Sequence, residues 1–222
     1  MSNDKLFKQT VYCIPGLGAS KAIFKYLPHH DTIRYHLLEQ KLPKKGESFD
    51  AYIQRWAQEI KKEHSIVIGV SFGGIIAQEL YKHRNFKKII LISSVTSPKA
   101  YPWFLKLTKY VPLHKLFLPL YIKRLHRIKS HPKSTKESKI STLINEFMPY
   151  IDLNYIIWSI DQILHWKPKT APNSFVQIHG TKDEIFPYSK TKNAIPVKDG
   201  THIMMISKRK WLENNLLSHL LN

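Results

Sequence analysis

A serine flanked by glycines is the first feature of this chain whose residue types and spacing could carry chemistry. It lies in Gly69-Val70-Ser71-Phe72-Gly73, in a chain with only 8 glycines in 222 residues. A serine hydroxyl is a weak nucleophile unless a base, a group that orients the base and donors for the developing oxyanion surround it. Flanking glycines let the backbone turn sharply and expose such a serine. The pattern predicts a nucleophile at Ser71, the alternative being a glycine-rich turn with an inert serine.

The segments on either side of this serine predict a strand and a helix. Residues 65–70 form a continuous apolar run, which is typical of a buried strand. Residues 72–84 have apolar side chains at helical spacing, so the serine is expected on a strand–turn–helix. Phe72 would open the helix, and its backbone N–H would then be free to donate to an oxyanion.

A second oxyanion donor is expected from an early glycine-containing loop. The apolar run 9–14 predicts a strand, and Pro15-Gly16-Leu17-Gly18-Ala19 follows it directly. We therefore predict that the backbone N–H of Leu17 is the second donor.

An acid and a histidine are expected after later strands, in the chain order Ser…Asp…His. Asp183 follows a predicted strand over residues 174–179, and it is preferred to its neighbour Glu184. His202 follows a shorter predicted strand over residues 193–197, with Gly200 just before it. These positions predict a Ser71–His202–Asp183 arrangement in which His202 is the base and Asp183 orients it.

Several other polar residues are assigned structural roles. His179 ends a predicted strand just before Gly180, and it is expected to pack or to bond the backbone. Ser93 and Ser94 end another strand, where they could bracket the acid or base or simply make strand-end hydrogen bonds. Cys13 is expected to be a small core residue. No His/Cys spacing indicates zinc and no phosphate-binding loop indicates a nucleotide, so no metal and no cofactor is predicted.

Strands and helices alternate on both sides of a central interruption. Strands are predicted at 9–14, 32–38, 65–70, 88–93, 174–179 and 193–197, and helices at 49–60, 72–84, 152–166 and 211–221. Between residues 97 and 167 the alternation stops, and prolines, aromatic residues and basic residues become frequent. This pattern predicts α/β layers around a largely parallel sheet, with a helical insertion of roughly 70 residues.

Three stretches of the chain carry a resemblance to a known family. Gly69-Val70-Ser71-Phe72-Gly73-Gly74, His179-Gly180-Thr181-Lys182-Asp183 and Gly200-Thr201-His202 resemble the nucleophile elbow, acid loop and histidine loop of small esterase-like members of the α/β-hydrolase superfamily. The resemblance extends over nearly the whole chain.

The resemblance implies an α/β-hydrolase fold, in which a mostly parallel, doubly wound sheet carries a helical cap. Residues 1–96 and 168–222 would form the core, and residues 97–167 the cap over a Ser71–His202–Asp183 triad. The chain departs from many relatives in having Pro15-Gly16 where they have His-Gly, which is tolerable because the donor there is a backbone N–H. It also enters the first predicted strand almost at once, so the two leading antiparallel strands of larger members are not expected.

The expected reaction is hydrolysis of a carboxylic ester or a thioester through an acyl-enzyme intermediate, and the expected partner is a small-molecule acyl substrate. Aromatic residues of the 97–167 segment are expected to line an apolar pocket, and Trp103, Phe104 and Trp158 are the candidates. A non-catalytic binding protein of the same fold is an alternative, because fold alone does not fix function.

The charge of the chain is unusual. The formal net charge is +19, and residues 99–139 hold eleven Lys or Arg and one Glu, a net charge of +10. Such a field would attract a phosphate-bearing handle on a substrate or an anionic membrane surface, while a solvated lysine-rich face is the alternative. A basic membrane- or nucleic-acid-associated protein is thus a competing class, although no specific nucleic acid is expected.

The remaining features of the composition bear on the cellular compartment in which the protein is expected. No apolar run reaches the roughly 18 residues needed to span a bilayer, and the polar residues 1–5 predict no signal peptide. A single cysteine excludes an internal disulfide and fits a reducing compartment. The expected location is therefore cytoplasmic.

Overall fold

The computed structural model describes residues 8–168, 174–191 and 193–221. The predicted polar stretch at residues 1–5 lies outside this part of the chain. Six strands form one sheet: β1 (Gln9–Ile14), β2 (Ile33–Leu37), β3 (Ser65–Val70), β4 (Phe86–Ile92), β5 (Phe175–Gly180) and β6 (Ile195–Val197). Their order is β2-β1-β3-β4-β5-β6, and every pairing is parallel. The predicted mostly parallel, doubly wound sheet is confirmed.

The strand order changes direction between β1 and β3. From β1 the chain moves outward to β2, and it then returns to β3 and proceeds to the opposite edge. In open parallel sheets the crevice for a ligand forms at such a reversal, beyond the carboxyl ends of the strands. Leu17 follows β1 and Ser71 follows β3, so the topology brings these two predicted site residues to that crevice.

Eight α-helices accompany these strands in the described part of the chain: α1 (Phe49–Ala57), α2 (Phe72–Leu80), α3 (Trp103–Thr108), α4 (Leu113–Ser130), α5 (Thr135–Phe147), α6 (Leu153–His165), α7 (Met204–Ser207) and α8 (Arg209–Leu221). The α1 helix begins after Ser48, whose hydroxyl accepts from the Ala51 N–H at 3.2 Å. The predicted helix over 72–84 ends at Leu80.

Successive side chains of each strand point to opposite faces of the sheet, so each face has its own part of the hydrophobic core. Tyr12 and Ile14 of β1 belong to the same buried cluster as Trp56 of α1. Val11 and Cys13, which point the opposite way, pack in the cluster that contains Leu216 of α8 and its neighbours. Burial raises the pKa of the Cys13 thiol, so it stays protonated and inert, in line with a core role.

The helices α3 to α6 lie between β4 and β5 in the chain and have a small core of their own. Six buried side chains form it: Ile122, Ile128, Ile144, Ile151, Tyr155 and Ile156. Near the end of this segment, the Trp166 indole N–H donates to a carboxylate oxygen of Glu79 at 2.8 Å. This hydrogen bond connects the segment to α2, the helix that follows β3. No helix in residues 8–168, 174–191 and 193–221 has the length and apolar character required to cross a bilayer.

Candidate active site

The turn between β3 and α2 holds Ser71 in a strained backbone conformation. Its φ is 52° and its ψ is −117°, which is unusual for a residue with a side chain. The neighbouring glycines are required by close backbone packing. A Cβ on Gly73 would lie 2.3 Å from the Ile14 carbonyl oxygen, and a Cβ on Gly69 would lie 2.4 Å from the Gly73 carbonyl oxygen. The turn is therefore held against the end of β1.

The end of β4 supports the same turn. The Ser94 hydroxyl donates to the Ser71 carbonyl oxygen at 2.7 Å, and a Cβ on Gly74 would collide with this hydroxyl. Ser94 thus makes a strand-end hydrogen bond and does not contact the acid or the base. The neighbouring Ser93 hydroxyl is buried, and it has no hydrogen-bond partner among the described residues.

His202 lies between β6 and α7, and it reaches both other members of the predicted triad. Its Nε2 is 2.8 Å from Ser71 Oγ, and its Nδ1 is 2.9 Å and 3.1 Å from the two carboxylate oxygens of Asp183. Because an ionised carboxylate can only accept, Nδ1 carries the proton and Nε2 is left to accept from the Ser71 hydroxyl. This is the arrangement in which an imidazole can act as a base toward a serine.

Asp183 is buried, and both of its carboxylate oxygens are hydrogen-bonded. The backbone N–H groups of Ile185 and Phe186 each donate to Oδ1 at 2.9 Å, and His179 Nε2 is 3.2 Å from Oδ2. Burial alone would raise the pKa of Asp183. Hydrogen bonds from the two histidines and the Phe186 N–H outweigh that effect, so the net result is a lowered pKa and a charged carboxylate. The adjacent Glu184 is exposed.

His179 has a role that the sequence reasoning missed in part. As expected, the buried ring bonds the backbone, since its Nε2 lies 2.6 Å from the Phe186 carbonyl oxygen. The same nitrogen also lies 3.2 Å from Asp183 Oδ2, the carboxylate oxygen to which His202 Nδ1 is closest. The sequence feature that could have indicated this contact is the position of His179, four residues before Asp183 with Gly180 between them.

The lowered pKa of Asp183 predicts a pH dependence of stability. A carboxyl group whose pKa is lower in the folded state stabilises the protein above its unfolded pKa of about 4, and this contribution is lost as the pH falls below that value. As the pH is lowered from about 5 to about 3, we expect the free energy of unfolding of the wild type to fall more steeply than that of Asp183→Asn. Urea titrations at several pH values measure both slopes, and parallel slopes would contradict the prediction.

The two predicted oxyanion donors lie on either side of Ser71. Phe72 is the first residue of α2, so its N–H has no acceptor within the helix. The loop after β1 passes directly against the serine, because a Cβ on Gly16 would lie 3.3 Å from Ser71 Cβ. Leu17, the next residue, lines the same cavity as Ser71 and His202.

An apolar cavity of about 500 Å³ opens at Ser71 and His202. Most of its wall comes from α3, α4 and α6, and the loop after β5 adds Ile185 and Phe186. The side chains that those three helices contribute are Leu105, Thr108, His114, Phe117, Leu118, Tyr121, Ile122, Leu125, Ile156, Ile160, Ile163 and Leu164. A second, smaller cavity of about 100 Å³ shares Leu17, Ser71 and His202 with the first, and Ile23, Phe147 and Met205 contribute to its wall.

The three aromatic residues predicted to line the pocket lie elsewhere. Trp103 and Phe104, at the start of α3, are 76% and 42% exposed, and neither is part of the cavity wall. Trp158 packs on the opposite side of α6, where its ring lies 4.8 Å from that of Tyr52 and its N–H donates to the Glu47 carbonyl oxygen. The aromatic residues that the cavity does use are Phe117 and Tyr121 of α4 together with Phe186.

The described residues contain no cluster of three or more His, Cys, Asp or Glu side chains able to hold a metal ion. The polar side chains that line the cavity are those of Ser71 and His202, together with Thr108, His114 and Tyr121 from the helices.

The sequence matches no protein-family model, and a search of curated proteins also finds no match. Solved structures, in contrast, resemble the fold over nearly the whole chain. An esterase from Exiguobacterium antarcticum has 17% identity and a TM-score of 0.64, covering 98% of this chain and 93% of its own.

Two further structures agree with this result. A carboxylesterase structure from Nitrososphaera gargenis has 14% identity and a TM-score of 0.67, covering 100% of this chain and 92% of its own. A bromoperoxidase from Bacillus anthracis has 14% identity and a TM-score of 0.60, with 96% and 92% covered. The chain has the α/β-hydrolase fold, as the resemblance in its sequence implied.

Proposed function

We propose that this protein is a serine hydrolase that cleaves a carboxylic ester or a thioester. The observation that carries the proposal is the chain of contacts from Ser71 Oγ to His202 Nε2 at 2.8 Å and from His202 Nδ1 to the Asp183 carboxylate at 2.9 Å. An esterase and a carboxylesterase are among the structures of similar fold, and they support the same reaction class. A binding protein of this fold would have no need to keep all three groups in contact.

In the first half of the proposed reaction, Ser71 Oγ attacks the carbonyl carbon while His202 Nε2 takes its proton. The carbonyl oxygen becomes negative, and the backbone N–H groups of Leu17 and Phe72 donate to it. The imidazolium then gives its proton to the departing alcohol or thiol, which leaves an acyl group on Ser71.

In the second half, water replaces the departed group. His202 Nε2 takes a proton from the water as its oxygen attacks the acyl carbon, and the same proton returns to Ser71 Oγ when the acid is released. Asp183 holds the ring in the correct tautomer and stabilises the positive charge that the ring carries in both halves. Its own hydrogen bonds to backbone N–H groups keep it ionised in this buried position.

The two cavities beside Ser71 favour a substrate with unequal apolar groups. The larger cavity of about 500 Å³ suits a long acyl or alkyl chain, and the smaller of about 100 Å³ suits a group of a few atoms. Since both share Leu17, Ser71 and His202, an ester carbonyl at the serine would send one group into each. Comparing the turnover of matched esters and thioesters would decide between the two bond types.

Narrowing the larger cavity is expected to change the preference for chain length. Leu118 of α4 lines this cavity, whereas Leu116, two residues earlier, is 67% exposed and does not. We expect Leu118→Trp to lower kcat/KM for p-nitrophenyl octanoate about tenfold relative to the acetate, because pockets discriminate chain length by packing. Leu116→Trp, the matched control, should leave the ratio unchanged, and equal effects of the two variants would contradict the prediction.

Covalent labelling tests the proposed function without knowledge of the substrate. A fluorophosphonate reacts with a serine that a neighbouring base activates, so it should label the wild type. Denaturing gel fluorescence should show labelling that is lost in Ser71→Ala and strongly reduced in His202→Ala. No labelling of the folded wild type, or labelling that persists in Ser71→Ala, would refute the proposal.

A further inference from the structure

The surface formed by the exposed side chains of residues 103–124, here called the α3–α4 surface, is unusually apolar. Of the 17 large hydrophobic side chains that are exposed in the described part of the chain, nine belong to it. These nine are Trp103, Phe104, Leu107, Tyr110, Val111, Leu116, Phe117, Leu120 and Tyr121. Large contiguous apolar patches on a protein surface usually mark an interaction site.

The same surface is strongly basic. Residues 103–124 contain five Lys or Arg and no Asp or Glu. All five are exposed. Lys115 pairs with Asp161, and the described carboxylates form no ion pair with Lys106, Lys109, Lys123 or Arg124. On α4, Leu116, Leu120 and Arg124 follow one another at intervals of four, which places leucines and a cation along one exposed line of the helix.

The α3–α4 surface is continuous with the larger cavity. Phe117 and Tyr121 are 60% and 56% exposed, and both also line the cavity that reaches Ser71 and His202. An apolar chain could therefore pass from this surface to the reacting serine along hydrophobic side chains. The surface and the site belong to one apolar path.

We propose that the α3–α4 surface docks on an anionic lipid bilayer and admits a lipid ester from it into the cavity. Aromatic and leucine side chains would enter the boundary between headgroups and acyl chains, while Lys109, Lys123 and Arg124 contact the phosphates. The substrate class would then be an acyl ester of a membrane lipid. This inference rests on the proposed function for its substrate, but the docking itself is independent of catalysis.

Charge complementarity favours a bilayer over other occupants. A second copy of this chain would bring two basic surfaces face to face, with no acid in residues 103–124 to offset the repulsion. A nucleic acid would satisfy the cations, but it offers no apolar partner for Leu107, Leu116 and Leu120. An anionic bilayer supplies both phosphates and hydrocarbon, so it matches both properties of the surface.

The test is co-sedimentation of the full chain, as Ser71→Ala and as wild type, with phosphatidylcholine vesicles that contain or lack phosphatidylglycerol. We expect binding to the anionic vesicles that weakens at high salt and is independent of Ser71. The combined Lys109→Gln, Lys123→Gln and Arg124→Gln variant should bind about 100-fold more weakly, because each basic residue contributes about fivefold. The combined Tyr110→Ala, Leu116→Ala and Leu120→Ala variant should lose binding while keeping wild-type turnover of soluble esters.

A matched control removes three cations from elsewhere. Lys61, Lys62 and Lys87 lie before or at the start of β3 and β4, at the edge of the sheet opposite Ser71. Changing these three to Gln should leave vesicle binding within about threefold of the wild type. An equal loss in this control would overturn the proposal, since total charge and not this surface would then cause the binding.

Two further outcomes would also overturn it. Folded wild type that binds neither kind of vesicle would exclude docking, even if esterase activity is present. Dimerisation that the Tyr110, Leu116 and Leu120 substitutions abolish, without vesicle binding, would identify a second copy as the occupant. Because binding is measured in Ser71→Ala as well, a failure of the proposed catalysis does not affect the result.

Discussion

Replacing Ser71 by Ala is expected to lower kcat for p-nitrophenyl butyrate by about 10⁶-fold. The substitution removes the oxygen that would attack the carbonyl and become acylated, and it leaves the oxyanion donors and cavities in place. The hydroxyl bonds only to His202 in the described structure, and Ala fits the same backbone position. We therefore expect the thermal unfolding temperature to stay within about 2 °C of the wild type.

Ser93 offers a matched control for this prediction. It is another buried serine at the end of a neighbouring strand, with a positive φ of 49° and no partner for its hydroxyl among the described residues. Ser93→Ala should keep kcat near the wild-type value. Turnover by folded Ser71→Ala that remains within about tenfold of the wild type would exclude Ser71 as the nucleophile.

Asp183→Asn is expected to lower kcat by about 10⁴-fold. Asn can donate as well as accept, so the amide can bond the ring of His202 in the tautomer that places the proton on Nε2, where it cannot accept from Ser71. The variant also removes the charge that would stabilise the imidazolium. The side chains are nearly equal in size, so the buried position can accommodate the change.

A substitution at the neighbouring acid, Glu184, tests whether the effect of Asp183→Asn results only from the loss of a negative charge. Glu184 is exposed and has no contact with His202 in the described structure, so Glu184→Gln should keep kcat within about threefold of the wild type. Steady-state kinetics of both variants, with circular dichroism to verify folding, provide the comparison. If Glu184→Gln caused the larger loss, the assignment of the acid would have to be reversed.

Much of the sheet and of the site could be predicted from the sequence, because both depend on local patterns. Continuous apolar runs such as residues 65–70 predict buried parallel strands. All six predicted strands are present, although β6 is reduced to Ile195–Val197. The glycine at 69 has a local cause as well, since a side chain there would collide with the Gly73 backbone, whereas a side chain at Gly73 would collide with the Ile14 backbone of β1. The loops after the strands could be located for the same reason, because each one follows a recognisable apolar run.

The pocket could not be predicted in this way. Size and position in the helical segment favour Trp103, Phe104 and Trp158 as pocket residues, but composition does not reveal which side of a helix faces the sheet. Trp103 and Phe104 lie on the outer side of α3, whereas Phe117 and Tyr121 of α4 reach the cavity. The prolines and mixed basic and apolar residues of this segment weaken the periodicity from which such a side could be read.

The sequence by itself determined which residue types occur after which strands, since strand runs, glycine turns and the order Ser71, Asp183, His202 are all local or sequential properties. Only the tertiary structure decided that Asp183 rather than Glu184 faces His202, and that His179 contacts the same carboxylate. It also decided which helix faces form the cavity and which remain exposed beside the basic residues. These choices depend on how separate segments pack together, from the 19 residues between Asp183 and His202 to the 131 between Ser71 and His202, and such contacts leave no periodic trace in a single chain.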